Sequence, residues 1–255
     1  MEYGLIGGRL GHSYSKLIHE RLAGYTYELC PLAPEQLAPF MQERRFKGIN
    51  VTIPYKRDVI GFLDSVDATA AQIGAVNTVV NRDGVLAGYN TDLPGFIYMV
   101  TQAGVQVAGK KVLVLGTGGA SAAVLAGLRQ LGAGRIVSVS RTGKGGAATY
   151  EECTALHTDA SVIVNTTPVG MFPNTDASPL DLAPFEECTA VLDVIYNPGE
   201  TKLTAQAKAL GKNAATGLTM LVAQAKYACE LFLDCSIPDE KISEITRQIA
   251  AEMYR

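Results

Sequence analysis

Two kinds of hydrophobic spacing alternate along the chain: short apolar runs of strand length, and longer segments in which apolar residues recur every three or four positions. The strongest run, Val112 to Leu115, leads straight into Gly116-Thr117-Gly118-Gly119, and a small-residue helical pattern through Ala120, Ala122, Ala123 and Ala126 follows. That order predicts a buried strand, a tight turn and a helix. Arg135 to Ser140 is a second apolar strand, Ser161 to Val164 a third and Ala190 to Val194 a fourth. Thr201 to Leu210 has helical spacing, and Asn213 to Thr216 reads as a link. Alternating strands and helices of this kind predict a parallel, doubly wound sheet.

Ahead of this region the strands are shorter. Glu2 to Gly8, Tyr25 to Leu29, Gly48 to Lys56, Gly74 to Val80 and Val85 to Gly88 read as strands. Ile49, Val51 and Ile53 alternate in the third of these, and Pro54 ends its ladder because it has no N–H to donate. Helical spacing runs through Leu17, Ile18, Leu22 and Ala23, from Pro34, from Asp64 to Ile73, and from Leu93 to Ala103. Beyond Met220 the pattern is helical again, with Leu221, Ala225, Ala228, Leu231 and Phe232 on one face. A last helix from Pro238 repeats Ile242, Ile245, Ile249 and Met253. The expected organisation is an α/β chain of two domains: residues 1–92, with the helices of 219–255 packing back on them, and residues 93–218 as a nucleotide-binding domain.

Composition narrows the classes. The chain has 255 residues, 47% hydrophobic and 18% charged, which is enough for two modest cores and ordinary for a globular protein. A net charge of −3 gives no general attraction to nucleic acid or an anionic membrane, so an anionic ligand must be held by local groups. The 5 cysteines are scattered without a Cys-x-x-Cys pair, and the 3 histidines have no ligand spacing. Reduced thiols in a cytoplasmic protein are therefore expected, with no metal site. No basic segment leads into an apolar one at the N-terminus, and no apolar run reaches spanning length, so neither export nor membrane insertion is expected.

Several polar residues stand where chemistry is placed in such folds. Glycines after a buried strand let the main chain approach a diphosphate, whose charge then meets N–H groups at the helix start; the same turn also occurs as a plain structural turn. The position of the usual third glycine is taken by Ser121, which is still small. About 20 residues past the turn, where an acid would read the ribose hydroxyls of NAD, the sequence has Ser140-Arg141-Thr142-Gly143-Lys144. Two cations with two hydroxyls suit a 2′-phosphate, hence NADP(H), the alternative being a solvated basic turn. Ser13 and Ser15 stand at a helix start, as ligand donors or as a cap with an exposed neighbour. Asn50 and Thr52 share one face of a strand, and Lys56 follows its end, as a functional ammonium or as a solvated one. Asn77, Asn90 and Asp92 are polar groups in apolar or turn-rich surroundings, and Asp92 is placed to cap the helix after it.

Together these segments carry a resemblance over nearly the whole chain. His12-Ser13-Tyr14-Ser15, Asn50-Val51-Thr52-Ile53-Pro54-Tyr55-Lys56, Gly74-Ala75-Val76-Asn77-Thr78, Gly88-Tyr89-Asn90-Thr91-Asp92, Gly116-Thr117-Gly118-Gly119-Ala120, Ser140-Arg141-Thr142 and Gly217-Leu218-Thr219-Met220-Leu221-Val222-Ala223-Gln224 occur in the order found in shikimate dehydrogenases. The resemblance implies an N-terminal α/β substrate domain, a Rossmann-type NADP-binding domain and C-terminal helices returning to the substrate domain. It implies a catalytic pair of Lys56 and Asp92, and shikimate held by Ser13, Ser15, Thr52, Asn77, Tyr196 and Gln224 in a cleft between domains. It implies NADP(H) contacts from Gly116, Thr117, Gly118, Gly119 and Ala120, from Ser140, Arg141, Thr142 and Lys144, and from Thr166, Val194 and Gly217.

The chain departs from the family pattern in having Lys16 where proline is usual, Ser140 where asparagine is usual, and a short segment after Lys144. The expected reaction is metal-free reduction of 3-dehydroshikimate to shikimate, in a monomer or homodimer, within aromatic amino acid biosynthesis. Rival readings are a quinate/shikimate dehydrogenase of broader substrate or cofactor choice, and a non-catalytic nucleotide-binding regulator of the same fold.

Overall fold

A computed structural model describes residues 1–11 and 13–254; His12 of the serine motif and Arg255 lie outside the described residues. The chain divides into two compact units. One comprises Met1–Asp92 with Val222–Ile245, the other Leu93–Leu221 with the chain from Thr246 onward.

The first unit is built on β1 (Tyr3–Gly7), α1 (Ser15–Ala23), β2 (Tyr27–Pro31), α2 (Pro34–Glu43), β3 (Gly48–Val51), β4 (Ser65–Val66), α3 (Ala68–Ile73), β5 (Thr78–Arg82) and β6 (Val85–Tyr89). Its mixed sheet runs β2-β1-β3-β5-β6-β4. Strand β1 is parallel to β2 and β3, whereas β5 is antiparallel to both β3 and β6. This arrangement positions the site. The C-terminal ends of β1, β3 and β6 and the start of β5 all come to one edge of the sheet, carrying Ser13, Thr52, Asp92 and Asn77 in the segments that follow or precede them. One face is covered by a core of Ile6, Met41, Ile49, Val51, Val76 and Leu86, and the other by Tyr27, Val80, Ala228 and Phe232.

Local chemistry corrects two expectations here. Residues Asp64 to Ile73 are not one helix. The Asp64 N–H donates to the Leu86 carbonyl at 2.9 Å, drawing Ser65–Val66 into the sheet. Asp67 then caps α3 by accepting from the N–H groups of Thr69 and Ala70. The strand expected over Gly48 to Lys56 ends as regular β3 at Val51, although Thr52 N still donates to Ile6 O at 2.9 Å before the chain turns at Pro54.

The second unit follows α4 (Asp92–Gln102) with β7 (Lys111–Leu115), α5 (Ser121–Gln130), β8 (Arg135–Val139), α6 (Tyr150–Leu156), β9 (Val162–Asn165), β10 (Ala190–Asp193), α7 (Lys202–Ala209) and β11 (Asn213–Thr216). Its sheet is wholly parallel, in the order β11-β10-β9-β7-β8. The central strands are apolar on both faces, as a sheet covered by helices requires. Strand order reverses between β7 and β9, and a ligand crevice of such sheets opens at the carboxyl ends of the strands at that point. Asn213–Thr216, expected as a link, is the edge strand β11, paired with β10 in spite of its small, half-exposed residues. The polar segment after Lys144 holds α6, begun by a capping box in which Thr149 Oγ1 accepts from Glu152 N at 3.1 Å and Glu152 Oε2 accepts from Thr149 N at 2.7 Å.

Residues 222–233 complete α8 (Leu218–Leu233), and α9 (Glu240–Met253) follows. Residues 219–255 do not group as a whole with the first unit. The chain from Thr246 belongs by contact to the second, where Tyr254 Oη donates to the Tyr196 carbonyl at 2.5 Å.

Candidate active site

In the first unit, Lys56 is fixed before its side chain is considered. Its carbonyl accepts from Val76 N at 2.8 Å, and the neighbouring Tyr55, 2% exposed, donates its hydroxyl to Leu32 O at 2.6 Å. The Lys56 ammonium donates to Asp92 Oδ2 at 2.5 Å, and the two side chains are only 17% and 13% exposed. Asp92 stands in the first turn of α4, where a negative charge is favoured by the N–H groups of the helix start. Partial shielding strengthens such a pair relative to one in bulk water while leaving a path for a ligand.

Asn77, 3% exposed, is oriented by Thr91. Its Oδ1 accepts from Thr91 N at 2.7 Å and its Nδ2 donates to Thr91 Oγ1 at 3.1 Å, so one amide N–H is left to meet a ligand oxygen. Behind it, Asn50 Nδ2 donates to Thr78 Oγ1 at 3.0 Å and to Asn77 O at 3.2 Å, and Tyr27 Oη donates to Asn50 Oδ1 at 2.7 Å. Sequence reasoning did not assign Tyr27, Thr78 or Thr91 to the site. The signal was present for the two threonines, which lie inside the motifs, but Tyr27 comes from a different strand.

Ser15 is 8% exposed at the start of α1, and its N–H points to Ser13 Oγ at 3.3 Å. The N-cap residue of α1, Tyr14, makes no side-chain cap bond. Lys16 does not stand over this helix start. Its ammonium donates to Glu20 Oε1 at 2.6 Å and to Tyr27 O at 2.8 Å, and that contact holds the Glu20 carboxyl below its usual range. Thr52 is half-buried after β3, and Gln224 is half-buried on α8.

In the second unit, the turn after β7 presses on the chain after β9. Gly116 has φ 101°, and a Cβ there would fall 2.9 Å from both Thr166 Oγ1 and Thr167 Cγ2. Thr166 is anchored by its N–H and its hydroxyl, both donated to Leu115 O, at 2.8 and 2.7 Å. Thr117, Gly118 and Gly119 are exposed, and helix α5 has Ala120 as its N-cap residue with no side-chain cap. Ser121 N is bonded to Gly118 O at 3.1 Å, and the N–H groups that follow it have no side-chain acceptor at this helix start. Ser121, in place of the third glycine, donates its hydroxyl to Gly118 O at 2.7 Å and so braces the turn.

Past β8, Ser140 Oγ accepts from Gly143 N at 3.1 Å, while Arg141, Thr142 and Lys144 are exposed. Among the described residues neither the Arg141 nor the Lys144 side chain is in an ion pair or hydrogen bond, and the Lys144 carbonyl accepts from Ala147 N. The remaining residues expected to contact a ligand lie beyond β10. Gly217 is buried, and a Cβ on it would fall 2.0 Å from the Val194 carbonyl oxygen, so only glycine lets the two backbones meet. Tyr196 is half-buried. Asp193 is 0% exposed and hydrogen-bonded to Asn165, Ile195 and Thr201, and burial pushes its carboxyl up to about 6.

These residues fit a phosphorylated dinucleotide. The helix start has N–H groups for a diphosphate, and the loop after β8 offers two unpaired cations without an acid. Among the described residues no group of three or more His, Cys, Asp or Glu converges as for a metal ion, and no helix is long and apolar enough to cross a membrane.

A shielded ammonium–carboxylate pair has a plain use where a nicotinamide cofactor moves a hydride: the proton that must accompany it. Fold and sites thus define the class, an NADP-dependent oxidoreductase acting on a CH–OH group. Residues 5–79 match the family described as "Shikimate dehydrogenase substrate binding domain". The chain is 37% identical over 259 residues to "Shikimate dehydrogenase (NADP(+))" of Clostridium beijerinckii, covering 95% of each. A chorismate mutase/shikimate 5-dehydrogenase fusion protein from Clostridium acetobutylicum superposes with a TM-score of 0.94 at 34% identity, over 99% of this chain and 98% of that one. Shikimate 5-dehydrogenase from Thermus thermophilus, solved in complex with NADP(H) and shikimate, gives 0.86 at 33%, over 97% and 99%. The chain belongs to the shikimate dehydrogenase family.

Proposed function

We propose that the protein catalyses the reversible NADPH-dependent reduction of 3-dehydroshikimate to shikimate, with Lys56 and Asp92 as its catalytic pair. The observation that carries this reading is the 2.5 Å contact between Lys56 Nζ and Asp92 Oδ2, set beside the tied Asn77 amide at one edge of the first sheet. In this reading the unit of residues 1–92 and 222–245 holds the substrate, and the unit from Leu93 holds the cofactor.

The substrate is a small ring with a carboxylate and hydroxyls. Ser13 and Ser15 at the start of α1 donate to the carboxylate, while Thr52, Asn77 and Gln224 meet the ring oxygens. Asn77 has one free amide N–H, so it reads a hydroxyl oxygen as an acceptor and loses that bond with an analogue lacking the group. NADP(H), when bound at Gly116 to Ala120, Ser140 to Thr142, Lys144, Thr166, Val194 and Gly217, supplies or accepts the hydride. The Lys56 ammonium gives its proton to the ring oxygen in the reducing direction and takes it back in the oxidising one. Asp92 orients the lysine and offsets its charge, and the ammonium stabilises the developing alkoxide without a metal. The five free cysteines support work in a reducing, cytoplasmic compartment, and a net charge of −3 supports small molecules over nucleic acid as partners of a monomer or homodimer.

The test is an initial-rate assay with shikimate or quinate and NADP or NAD, following nicotinamide absorbance. Rapid turnover confined to shikimate with NADP is expected. Comparable rates with quinate or NAD would give the broader dehydrogenase, and no turnover in any combination would sink the enzymatic reading.

A further inference from the structure

The mechanism leaves one buried carboxylate without a role. Asp193, at the last position of β10, takes only neutral donors: Asn165 Nδ2 at 3.0 Å and the Ile195 N–H at 3.1 Å on Oδ1, and the Thr201 hydroxyl at 2.8 Å on Oδ2. No cation faces it. Strands β9 and β11 bring no ionisable side chain, and on and beside α7 Lys208 is paired with Glu200 and Lys202 with Asp176. A buried carboxylate without a cation is costly, so its hydrogen bonds are what it contributes.

Those bonds lead to the cofactor turn. Asn165 closes β9, and its Oδ1 accepts from Thr167 N at 2.9 Å and Thr167 Oγ1 at 2.7 Å. Its amide is thereby held at both ends, by Asp193 through the nitrogen and by Thr167 through the oxygen. Thr166 and Thr167 are the wall that Gly116 touches, at the point where strand order reverses. The Ile195–Tyr196 segment has anchors of its own, with Gly217 N on Ile195 O at 2.9 Å and Tyr254 Oη on Tyr196 O at 2.5 Å. Loss of the carboxylate therefore falls on the Thr167 side.

We propose that Asp193 is a positioning residue for the dinucleotide, holding the Thr166–Thr167 wall behind the Gly116 turn by way of Asn165. The proposal rests on the reading of Gly116 to Ala120 as the cofactor turn. An Asn at this position keeps an oxygen for Asn165 and Ile195 and presents an N–H to Thr201 Oγ1, which is able to accept. An Ala keeps nothing and frees Asn165 to turn.

The experiment is a fluorescence titration of the purified full chain with NADPH, with the shikimate KM at saturating NADP and thermal unfolding measured in parallel. The proteins are wild type, Asp193→Ala, Asp193→Asn, Thr167→Val and the Asp193→Ala/Thr167→Val double variant. Expected are about tenfold weaker NADPH binding for Asp193→Ala, a shikimate KM within about twofold, and recovery of most of the affinity in Asp193→Asn. The double variant binds NADPH no worse than the weaker single one, because both changes release one wall. Unchanged NADPH affinity in Asp193→Ala overturns the proposal. So does a loss that Asn fails to recover, a loss shared equally by the shikimate KM, or single effects that multiply in the double variant. Should Asp193→Ala not fold, unchanged affinity in Thr167→Val is the overturning result. Wild-type protein that binds no NADPH at all removes the dinucleotide reading beneath the proposal, which separates the two failures.

Discussion

In the first unit the polar side chains of the site are engaged with one another before any ligand arrives: Lys56 with Asp92, Asn77 with Thr91, Asn50 with Tyr27. In the second unit the groups proposed for the cofactor are open, with helix α5 uncapped and Arg141 and Lys144 exposed without an ion pair among the described residues. Under the proposed function, the difference follows from what each would bind. A small ring offers few contacts, so each must have a set direction, and side-chain hydrogen bonds set it. A dinucleotide brings several phosphate charges, and solvated cations and helix N–H groups wait for these at low cost. Prewired sites should therefore lose turnover when broken, and open ones should lose selectivity or affinity.

The largest effect is expected at the prewired pair. Lys56→Ala should lower turnover by about a hundredfold to ten-thousandfold in the shikimate and NADP assay, with substrate binding much less altered. Near-normal turnover would remove the lysine from the mechanism. At the open site, Arg141→Asp should reduce the ratio of kcat/KM for NADP over NAD by about ten- to a hundredfold, since it replaces a charge-assisted phosphate contact with a repulsive one. An unchanged ratio would contradict the phosphate assignment.

A third prediction concerns stability. The Asp193 carboxyl is raised from 3.8 to about 6, so in that window the native state holds a proton that the unfolded chain releases. The stabilisation from this group is complete below 3.8 and lost as pH rises through about 6. Asp193→Asn should then be more stable than wild type by on the order of 2 kcal/mol at about pH 7, with a smaller gap at about pH 4.5. Urea unfolding at both values checks it, and a gap independent of pH would refute it. The smallest effect is expected at Lys16, whose exposed pair with Glu20 is worth about 1 kcal/mol at most. Lys16→Ala should leave the shikimate KM within about twofold, and a tenfold rise would put that ammonium in the carboxylate site instead.

Legibility in the sequence followed the range of the interactions. The glycine turn, strands β7 to β10 of the second sheet and the motifs carrying Lys56, Asn77 and Asp92 were readable because each depends on neighbours a few residues away. Helix α6 was overlooked although its capping box, Thr149 with Glu152, is a local signal. Strand β11 was not readable in the same sense. Asn213 to Thr216 has no apolar run, and pairing with β10 makes it a strand. The Asp64 segment failed for a similar reason, since its contact is with Leu86 on β6.

By itself the sequence determined the class of fold and the family, and it singled out the candidate reactive groups, because periodicity, glycine placement and residue type are properties of short stretches. Only the tertiary structure decided how those groups are held. The Asn77 amide is held by Thr91, 14 residues later, through both its oxygen and its nitrogen. Lys56 meets a carboxylate 36 residues away, and Asp193 reaches Thr167 through an asparagine on a neighbouring strand. Hydrogen bonds depend on direction and on distances of a few tenths of an ångström, and strand register sets both where sequence spacing does not.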